Sequence, residues 1–335
     1  MAYTIKDVAR EANVSIATVS RILNGQPGYS KKTKEKVLRV IEEMGYHPNA
    51  VARGLINKRT HTIGVMFPYL TGSLVTELLR GIESAASRHG SSIIVCHTSS
   101  DREKTRKYLQ VLNEKRVDGI IFTSEVLEDE FHGYIENMNV PLVLLSTKSD
   151  KFSAPFVRVD DEAAAYSAAE YLIKQGHTKL GMISGRKEDI IAGQPRINGF
   201  LKALKKYGIS LKEGNIISTE GFGFPEGITG LKRLLENDPG VTGIFAASDE
   251  IAIGAISTAY LLGIQIPEEL SIIGYDNIDL AQMSIPPLTT VAQPFAEMGE
   301  TAGEMLLSML ETGETAVSRI MPHQIIERES VKRKD

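Results

Sequence analysis

The sequence is poor in cysteine and has no long apolar run. Cys96 is the single cysteine among 335 residues, which excludes an internal disulfide framework and is typical of a reducing compartment. No stretch approaches the ~20 consecutive apolar residues that a membrane-spanning helix needs, and residues 1–25 lack the apolar segment of a secretory signal. These absences predict a cytoplasmic protein.

The common catalytic and metal-binding patterns are also missing. The seven histidines are scattered and form no H-x-x-x-H or Cys/His cluster, so we expect no bound metal. The sequence has no G-x-x-x-x-G-K-[ST] phosphate loop and no G-x-S-x-G nucleophile elbow. Asp160 and Asp276 would be candidates for a hydrolytic carboxylate pair, but nothing in the sequence sets their separation. We therefore predict a protein that is not an enzyme and needs no cofactor.

Charge is distributed unevenly along the chain. The net charge is −4, but residues 1–60 hold eleven Lys or Arg against five Asp or Glu, a net +6 that leaves −10 for the remainder. A basic first segment on an acidic remainder indicates a polyanion such as nucleic acid as the partner of that segment. A solvated charged face is the alternative.

The first 45 residues show the pattern of three short helices. Thr4, Ser15 and Ser30 stand where a helix N-cap is expected. Apolar residues then follow at helical spacing, namely Ile5, Val8, Ala9 and Ala12, then Val19, Ile22 and Leu23, then Val37, Val40, Ile41 and Met44. Two short helices joined by a tight turn and braced by a third form a helix-turn-helix. A purely structural three-helix module is the alternative.

The second of these helices carries an outward face suited to DNA bases. Ile16 and Ala17 are apolar, as contact with a thymine methyl requires, and Arg21 can pair bidentately with guanine. Small polar residues around them are suited to phosphate oxygens, which fix register without reading sequence. These predicted phosphate contacts are Thr4, Ser15, Thr18, Ser20 and Asn24.

The stretch "YHPNAVARGLINKRT" predicts a short linker helix. Pro48 ends the third helix, and Asn49 caps a new one that runs through Ala52 and Arg53. About two helical turns are too short to be stable alone in water. Leu55 follows with no core to join, which is suited to a wedge inserted between base pairs from the minor groove. An ordinary linker leucine is the alternative.

The segments "TIKDVAREANVSIATVSRILNG" and "GYHPNAVARGL" resemble the lactose/galactose-repressor (LacI/GalR) family of bacterial transcription regulators. The resemblance implies a homodimer on a pseudo-palindromic operator, with Ile16, Ala17 and Arg21 reading bases. It also implies that the linker helix folds only on operator DNA, paired with its twin, and that Leu55 kinks a central C–G step.

From Thr62 onward, short apolar runs alternate with amphipathic helical segments. "TIGVMF", "SIIVCH", "DGIIFT", "PLVLLS" and "FVRVD" are typical of buried parallel strands, and "KLGMIS", "NIIST", "GIFAAS" and "SIIGYD" form a second series. The pattern predicts α/β alternation built twice, as two doubly wound parallel-sheet subdomains. The resemblance implies the architecture of periplasmic sugar-binding proteins, with crossings near residues 161, 292 and 322.

The predicted organisation is therefore an all-α helix-turn-helix head followed by a hinge helix and an α/β body. The predicted boundaries are 1–47 for the head, 48–60 for the hinge and 61–333 for the effector-binding and dimerisation domain. Within that domain, the N-subdomain covers about 61–160 plus 292–322, and the C-subdomain about 161–291 plus 323–333.

Ligands of open α/β sheets bind beyond the carboxyl ends of the strands. This rule nominates polar residues that follow strands, namely Asp160, Ser184, Gly185, Ser248, Asp249 and Asp276, with Arg196 near the start of the next helix. Carboxylates and an arginine suit sugar hydroxyls, which need both donors and acceptors. Asp160 and Asp249 have helix capping as an alternative role.

The resemblance aligns Arg196 and Asp276 with the family's effector-binding arginine and aspartate, and Phe222 with an aromatic that stacks on the effector. A loop-anchoring core phenylalanine is the alternative for Phe222. The predicted effector site is thus Asp160, Arg196, Phe222, Ser248 and Asp276. Leu74 and Val75 stand where many relatives have aromatics over the ligand, which argues against a purine. Arg186 and Lys187 suit either a sugar phosphate or plain solvated loop charges.

Together these features predict a homodimeric, sequence-specific regulator, with repression of sugar or carbon metabolism genes as the favoured mode. A sugar, oligosaccharide or sugar phosphate in the cleft of the body is expected to control DNA affinity. The alternatives are a sugar-metabolising enzyme such as a kinase fused to a DNA-binding module, and a plain sugar-binding protein.

Overall fold

The computed structural model describes residues 3–23, 25–46, 59–70 and 72–334. The chain divides into two compact units, Met1–His61 and Thr62–Asp335. The predicted linker residues Asn49, Ala52, Arg53 and Leu55 lie outside the described residues, as does Asn24.

The described residues of the first unit contain the three predicted helices, α1 (Ile5–Glu11), α2 (Ile16–Leu23) and α3 (Lys31–Met44). The Ser30 hydroxyl accepts a hydrogen bond from the Thr33 amide at 3.2 Å and so caps α3, which ends at Gly45 with φ of 60°. One small apolar core joins the helices, and its buried members are Val8, Ala9, Ala12, Val19, Ile22, Val37 and Val40. The helix-turn-helix architecture follows from this packing.

The second unit alternates strands and helices. It begins with β1 (Thr62–Phe67), α4 (Ser73–Arg88), β2 (Ser92–His97), α5 (Arg102–Glu114), β3 (Gly119–Thr123), α6 (Asp129–Met138), β4 (Leu142–Leu145) and β5 (Phe156–Val159). It continues with α7 (Asp161–Lys174), β6 (Leu180–Ser184), α8 (Gly193–Lys206), β7 (Ile216–Ser218), α9 (Phe224–Asn237), β8 (Gly243–Ala246), α10 (Asp249–Leu261) and β9 (Ser271–Asp276). It ends with α11 (Asp279–Met283), β10 (Thr289–Ala292), α12 (Phe295–Thr312), β11 (Arg319–Met321) and β12 (Gln324–Ile326).

These strands form two six-stranded sheets within the second unit. The first has the order β11-β5-β4-β3-β1-β2, and all its pairs are parallel. The second has the order β12-β10-β9-β8-β6-β7 and is parallel except for the β10–β12 pair. The chain passes between the sheets three times, after β5, after β10 and between β11 and β12. The two-sheet architecture is the predicted one.

Two features of the sheets differ from the sequence prediction. "SIIVCH" was expected to be a buried strand, but β2 lies at the edge of its sheet, and Ser92 and His97 are exposed. β10, β11 and β12 were not predicted as strands. β11 and β12 have three residues each and occupy sheet edges, so they lack the continuous apolar run that marks a central strand.

Glycines allow three helix pairs to approach closely. A Cβ on Gly81 of α4 would clash with the Ala296 carbonyl oxygen of α12, and a Cβ on Gly199 of α8 would clash with the Glu162 carbonyl oxygen of α7. The pair α9 and α10 meets in the same way, at Gly227. These contacts are backbone against backbone, so no side chain can move to relieve them.

Two glycine substitutions separate this packing effect from helix propensity. Gly81→Ala should lower the free energy of unfolding by ~1–3 kcal/mol, because the new methyl group overpacks the α4–α12 contact. Gly133→Ala on α6 should raise it by ~0.5–1 kcal/mol, because no atom lies within 4 Å of the added Cβ. Urea denaturation of both variants measures the two effects, and equal shifts of one sign would contradict the close-packing account.

Candidate functional site

The outward face of α2 carries the three predicted base-reading residues. Ile16 is 45% exposed, and Ala17 and Arg21 are exposed beside it, whereas Val19 and Ile22 on the opposite face are buried in the core. Within the described residues no carboxylate forms an ion pair with Arg21. The helix therefore presents a methyl-rich patch and an unneutralised guanidinium on one side.

Several of the predicted phosphate contacts, including Thr4, Ser15 and Thr18, already take part in local side-chain hydrogen bonds. The Thr4 hydroxyl lies 2.7 Å from the Asp7 carboxylate and donates to it. Ser15 Oγ accepts from the Thr18 amide at 3.1 Å, which makes Ser15 the cap of α2. Thr18 and Ser20 are half-buried on the same helix. A phosphate contact from Thr4 would require its bond to Asp7 to be replaced.

Arg196 lies at the centre of the predicted effector residues of the second unit. Its Nε and Nη2 atoms each lie 2.9 Å from Oδ1 of Asp161, and Nη1 donates to the Ala247 carbonyl at 2.6 Å. The guanidinium carbon lies 3.9 Å from the centre of the Tyr275 ring. Burial alone would lower the pKa of Arg196, but the Asp161 carboxylate outweighs it and raises the pKa above its ordinary value.

Asp161 was not nominated from the sequence, although it is the residue that holds Arg196. It also accepts a hydrogen bond from the Tyr275 hydroxyl at 3.0 Å. Asp160, which was nominated, caps α7 by accepting from the Ala163 amide at 3.1 Å. The sequence signal that could have identified Asp161 is the Asp-Asp pair after "FVRV". Its second member begins α7 and points toward the neighbouring helix α8.

Ser248 and Phe222 form a second contact at this end of the sheet. Ser248 Oγ accepts from the Ile251 amide at 3.0 Å and donates to the Phe222 carbonyl at 2.6 Å, so Ser248 caps α10 and fixes Phe222. The centre of the Phe222 ring lies 5.6 Å from the guanidinium carbon of Arg196. A Cβ on Gly185 would clash with that ring, so Gly185 provides the space in which it lies.

Asp249 and Asp276 are buried carboxyl groups. The capping alternative for Asp249 is wrong, because Ser248 is the cap and Asp249 is fully buried behind it. Asp276 accepts from Gln293 Nε2 at 2.8 Å, in the segment where the chain leaves β10 for the first sheet. Burial raises the pKa of Asp276 to about 6, although the charge of Arg196 opposes the shift.

A cavity of about 1090 Å³ lies beside this group, lined by β5 and β11 of the first sheet, by loops and helices around that sheet, and by residues 190–195 before and at the start of α8. Asp160 lines it, whereas Arg196, Phe222, Ser248 and Asp276 do not. Pro195, next to Arg196, also lines the cavity. The cavity lining thus includes residues next in sequence to Asp161 and Arg196. The buried polar group around Arg196 is the better candidate for ligand recognition, because its polar atoms have fixed directions.

One sequence interpretation around the site needs correction, and one open alternative can be compared with the structure. Val75 is buried in the core and Leu74 packs against it, so neither covers a ligand site as predicted. The aromatic that follows β1 is Tyr69, which is 62% exposed and was overlooked. Arg186 is exposed and pairs with Glu220, and Lys187 is exposed beside Glu188, as expected of solvated loop charges.

Two further searches covered only the part of the chain that the structure describes. That part contains no group of three or more His, Cys, Asp or Glu residues that could hold a metal ion. It also contains no helix with the length and apolar character needed to cross a membrane.

Comparison with known proteins covers both units. Residues 4–49 match the model of bacterial regulatory proteins of the lacI family, and residues 169–331 match a periplasmic binding protein-like domain. Catabolite control protein A of Priestia megaterium is 38% identical over 334 residues, which are 99% of this chain and 100% of that protein. The ribose operon repressor of Halalkalibacterium halodurans is 36% identical over 330 residues, covering 98% of this chain and 97% of that protein. The lac repressor dimer bound to operator and the anti-inducer ONPF is similar in structure, with a TM-score of 0.88 and 27% identity, covering 99% of this chain and 100% of that one.

The buried carboxyl of Asp249 predicts a pH-dependent stability. Burial, reinforced by the charge of Asp276, raises its pKa to about 8, against 3.8 for a free aspartate. The folded protein therefore holds a proton that the unfolded chain releases, and the free energy of unfolding falls as pH rises from about 4 to about 8.

Asp249→Asn should remove this contribution, because the amide does not titrate. The wild type should lose stability relative to the variant by at most ~1.4 kcal/mol per pH unit between about pH 5 and pH 8. Urea denaturation of both proteins across this range measures the difference. Asp276 and Glu250 are the other titratable groups beside Asp249 and are present in both proteins. A difference that does not change with pH would contradict the raised pKa.

Proposed function

We propose that this chain, which belongs to the lacI family of bacterial regulatory proteins, is a dimeric operator-binding repressor whose DNA affinity is set by a small carbohydrate. Membership of the family, predicted from the sequence, is confirmed, and the relatives are transcription regulators. The observation that carries the proposal is the exposed face of α2, where Ile16, Ala17 and Arg21 lie together on a helix-turn-helix. Action on bacterial DNA requires the predicted cytoplasmic location.

The second helix of a helix-turn-helix enters the major groove with its N-terminal residues at the base edges. Ile16 and Ala17 occupy the first turn of α2 and would contact thymine methyl groups, and Arg21 lies one turn further on, where it would pair with guanine. Thr4, Ser15, Thr18, Ser20 and Asn24 would contact phosphates. From the family resemblance we assign Asn49, Ala52, Arg53 and Leu55 to the minor groove, with Leu55 as the wedge.

An exposed apolar patch on the second unit supports self-association. Tyr260 is 82% exposed at the end of α10, and Leu280 and Met283 are exposed on α11, which contacts α10. The other exposed apolar residues nearby are Leu261, Leu262 and Ile285. Exposed large apolar side chains on two helices that contact each other are typical of a protein interface, and a second copy of the chain would supply the two heads that a pseudo-palindromic operator needs.

The effector site is assigned to the group around Arg196. Arg196, Asp276 and Ser248 offer donors and acceptors in fixed directions, and Phe222 offers an aromatic face, a combination that suits a sugar ring. Asp160 is assigned to the rim of the effector site, since it lines the cavity beside that site. The name of the related ribose operon repressor also points to a carbohydrate.

The proposal is tested first with purified full-length protein and a labelled pseudo-palindromic duplex that has a central C–G step. Tight binding at two chains per duplex, and a change of about tenfold (~1.4 kcal/mol) with d-ribose, cellobiose or glucose 6-phosphate, would support it. Binding no tighter than to random DNA would contradict it. Recovery of each sugar unchanged after incubation separates a regulator from the alternative, a sugar-metabolising enzyme.

Arg21→Ala tests base reading by α2. The substitution should cost ~1–3 kcal/mol of operator binding and should relax preference at one guanine, because a bidentate contact is lost. Selection from a randomised duplex pool, read by sequencing, measures the preference. Arg39→Ala on the exposed face of α3 is the control for charge, and it should leave the selected sequence unaltered. Unchanged preference in Arg21→Ala would exclude the assigned role.

Arg196→Lys tests the effector site without removing its charge. Arg196→Ala would leave Asp161 buried and unpaired at a cost of ~3–5 kcal/mol, so lost response in that variant could reflect lost folding. The lysine keeps a cation beside Asp161 but has no planar fork, so the sugar concentration that half-saturates the DNA response should rise about tenfold or more. Lys202→Ala, exposed on the same helix, should respond as the wild type does. An unaltered midpoint in Arg196→Lys would show that the site is misplaced.

A further inference from the structure

We propose that Asp249 is a positioning residue, whose buried carboxyl group holds the end of β9 in the one conformation that presents Asp276 to the effector. The inference rests on the proposed function, in which Asp276 is an effector ligand. Asp249 itself is fully buried and cannot touch the effector. Its role must therefore act through the backbone that it contacts.

The backbone at the end of β9 is strained. Asp276 has φ of 113° and Asn277 has φ of 59°, and neither residue is glycine. Consecutive non-glycine residues with positive φ persist only where the surroundings hold them. Amide groups that follow one another in such a turn point to the same side and form a concave site for an oxygen acceptor.

The Asp249 carboxyl group occupies that concave site. Its Oδ2 accepts from the Ile278 amide at 2.8 Å, and the Asn277 amide also bonds to the carboxyl group. The other oxygen, Oδ1, lies 2.5 Å from the Thr290 hydroxyl of β10. A Cβ on Gly274 would clash with this oxygen, so a glycine in β9 makes room for the contact. Asp249 thus ties α10 to two adjacent strands at the point of strain.

The surroundings favour a neutral carboxyl group at this position. Burial raises the pKa of Asp249 to about 8, and the charge of Asp276 raises it as well. The Ile278 amide donates to Oδ2, and the Thr290 hydroxyl lies 2.5 Å from Oδ1, where it can donate to a carboxylate or accept from the neutral acid. An asparagine side chain keeps an acceptor for the backbone amide and presents a donor to the Thr290 hydroxyl, as the neutral acid does. Asp249→Asn should therefore retain the role, whereas Asp249→Ala should lose it.

Hydrogen exchange of the ligand-free, full-length protein tests this directly. In Asp249→Ala, the amides of Asn277 and Ile278 lose their acceptor, so exchange in the peptide covering 274–282 should accelerate about tenfold or more. In Asp249→Asn the rate should stay close to that of the wild type. Thr258→Val is the matched control, because Thr258 is also buried on α10 but bonds only within its own helix. Exchange at 274–282 should not change in that control.

Three results of the exchange experiment would overturn the proposal. The first is wild-type exchange at 274–282 in Asp249→Ala, and the second is an equal loss of protection in Asp249→Asn. If Asp249→Ala does not fold, Thr290→Val replaces it, since that variant removes the second partner of the carboxyl group and keeps Asp249. Faster exchange confined to 274–282 in Thr290→Val would then support the proposal, and unchanged exchange is the third contrary result.

Titration of operator binding with d-ribose and cellobiose distinguishes this inference from the proposed function. A wild-type response that Asp249→Asn keeps and Asp249→Ala weakens about tenfold supports both. If the wild type responds to neither sugar, that support for the proposed effector class is lost, while the exchange result still decides what Asp249 does. If Asp249→Ala responds at the same sugar concentration as the wild type, the positioning role of Asp249 is overturned and the proposed function is not.

Discussion

The second unit depends on one buried ion pair, Arg196 with Asp161. Two helices meet through it, since Arg196 belongs to α8 and Asp161 to α7, and the guanidinium also bonds the Ala247 carbonyl at the end of β8. Tyr275 of β9 closes the group by covering the guanidinium and donating to Asp161. An unpaired charge at this depth would cost several kcal/mol, so the pair is held together by the penalty for separating it. The same constraint keeps the remaining Arg196 donors in fixed directions.

Each of the three crossings between the sheets carries a polar contact to α7 or to the second sheet. Asp160 caps α7 after the first crossing, Gln293 bonds Asp276 at the second, and His323 lies 2.9 Å from the Ser167 hydroxyl at the third. A ligand that engages Asp276 would compete with or reinforce the Gln293 contact. Binding energy would therefore act on a crossing segment directly, and typical couplings of ~1–3 kcal/mol amount to one or two hydrogen bonds of this kind.

The sequence predicts the elements far better than it predicts which polar residue does what. Short apolar runs located the nine strands β1 to β9. Most of them are central parallel strands, which must be apolar on both faces. The roles of adjacent polar residues were assigned less well. Asp160 and Asp161, like Ser248 and Asp249, are neighbours at a strand end, and a shift of one position in the helix start exchanges the cap with the buried group. Only the helix boundary decides this, and it is the feature that a sequence pattern defines least.

The balance of charge in the buried group bears on the kind of effector. Asp161, Asp249 and Asp276 are all buried, Arg196 is the one buried arginine among the described residues, and Arg186 and Lys187 pair with carboxylates in an exposed loop. A phosphate brought into this group would add negative charge where burial already raises the pKa of Asp249 and Asp276. Sugar hydroxyls bring hydrogen-bond donors without charge and satisfy carboxylate oxygens at little electrostatic cost. If the proposed effector site is the right one, its charge balance suits a neutral carbohydrate better than a sugar phosphate, a distinction that no motif in the sequence expresses.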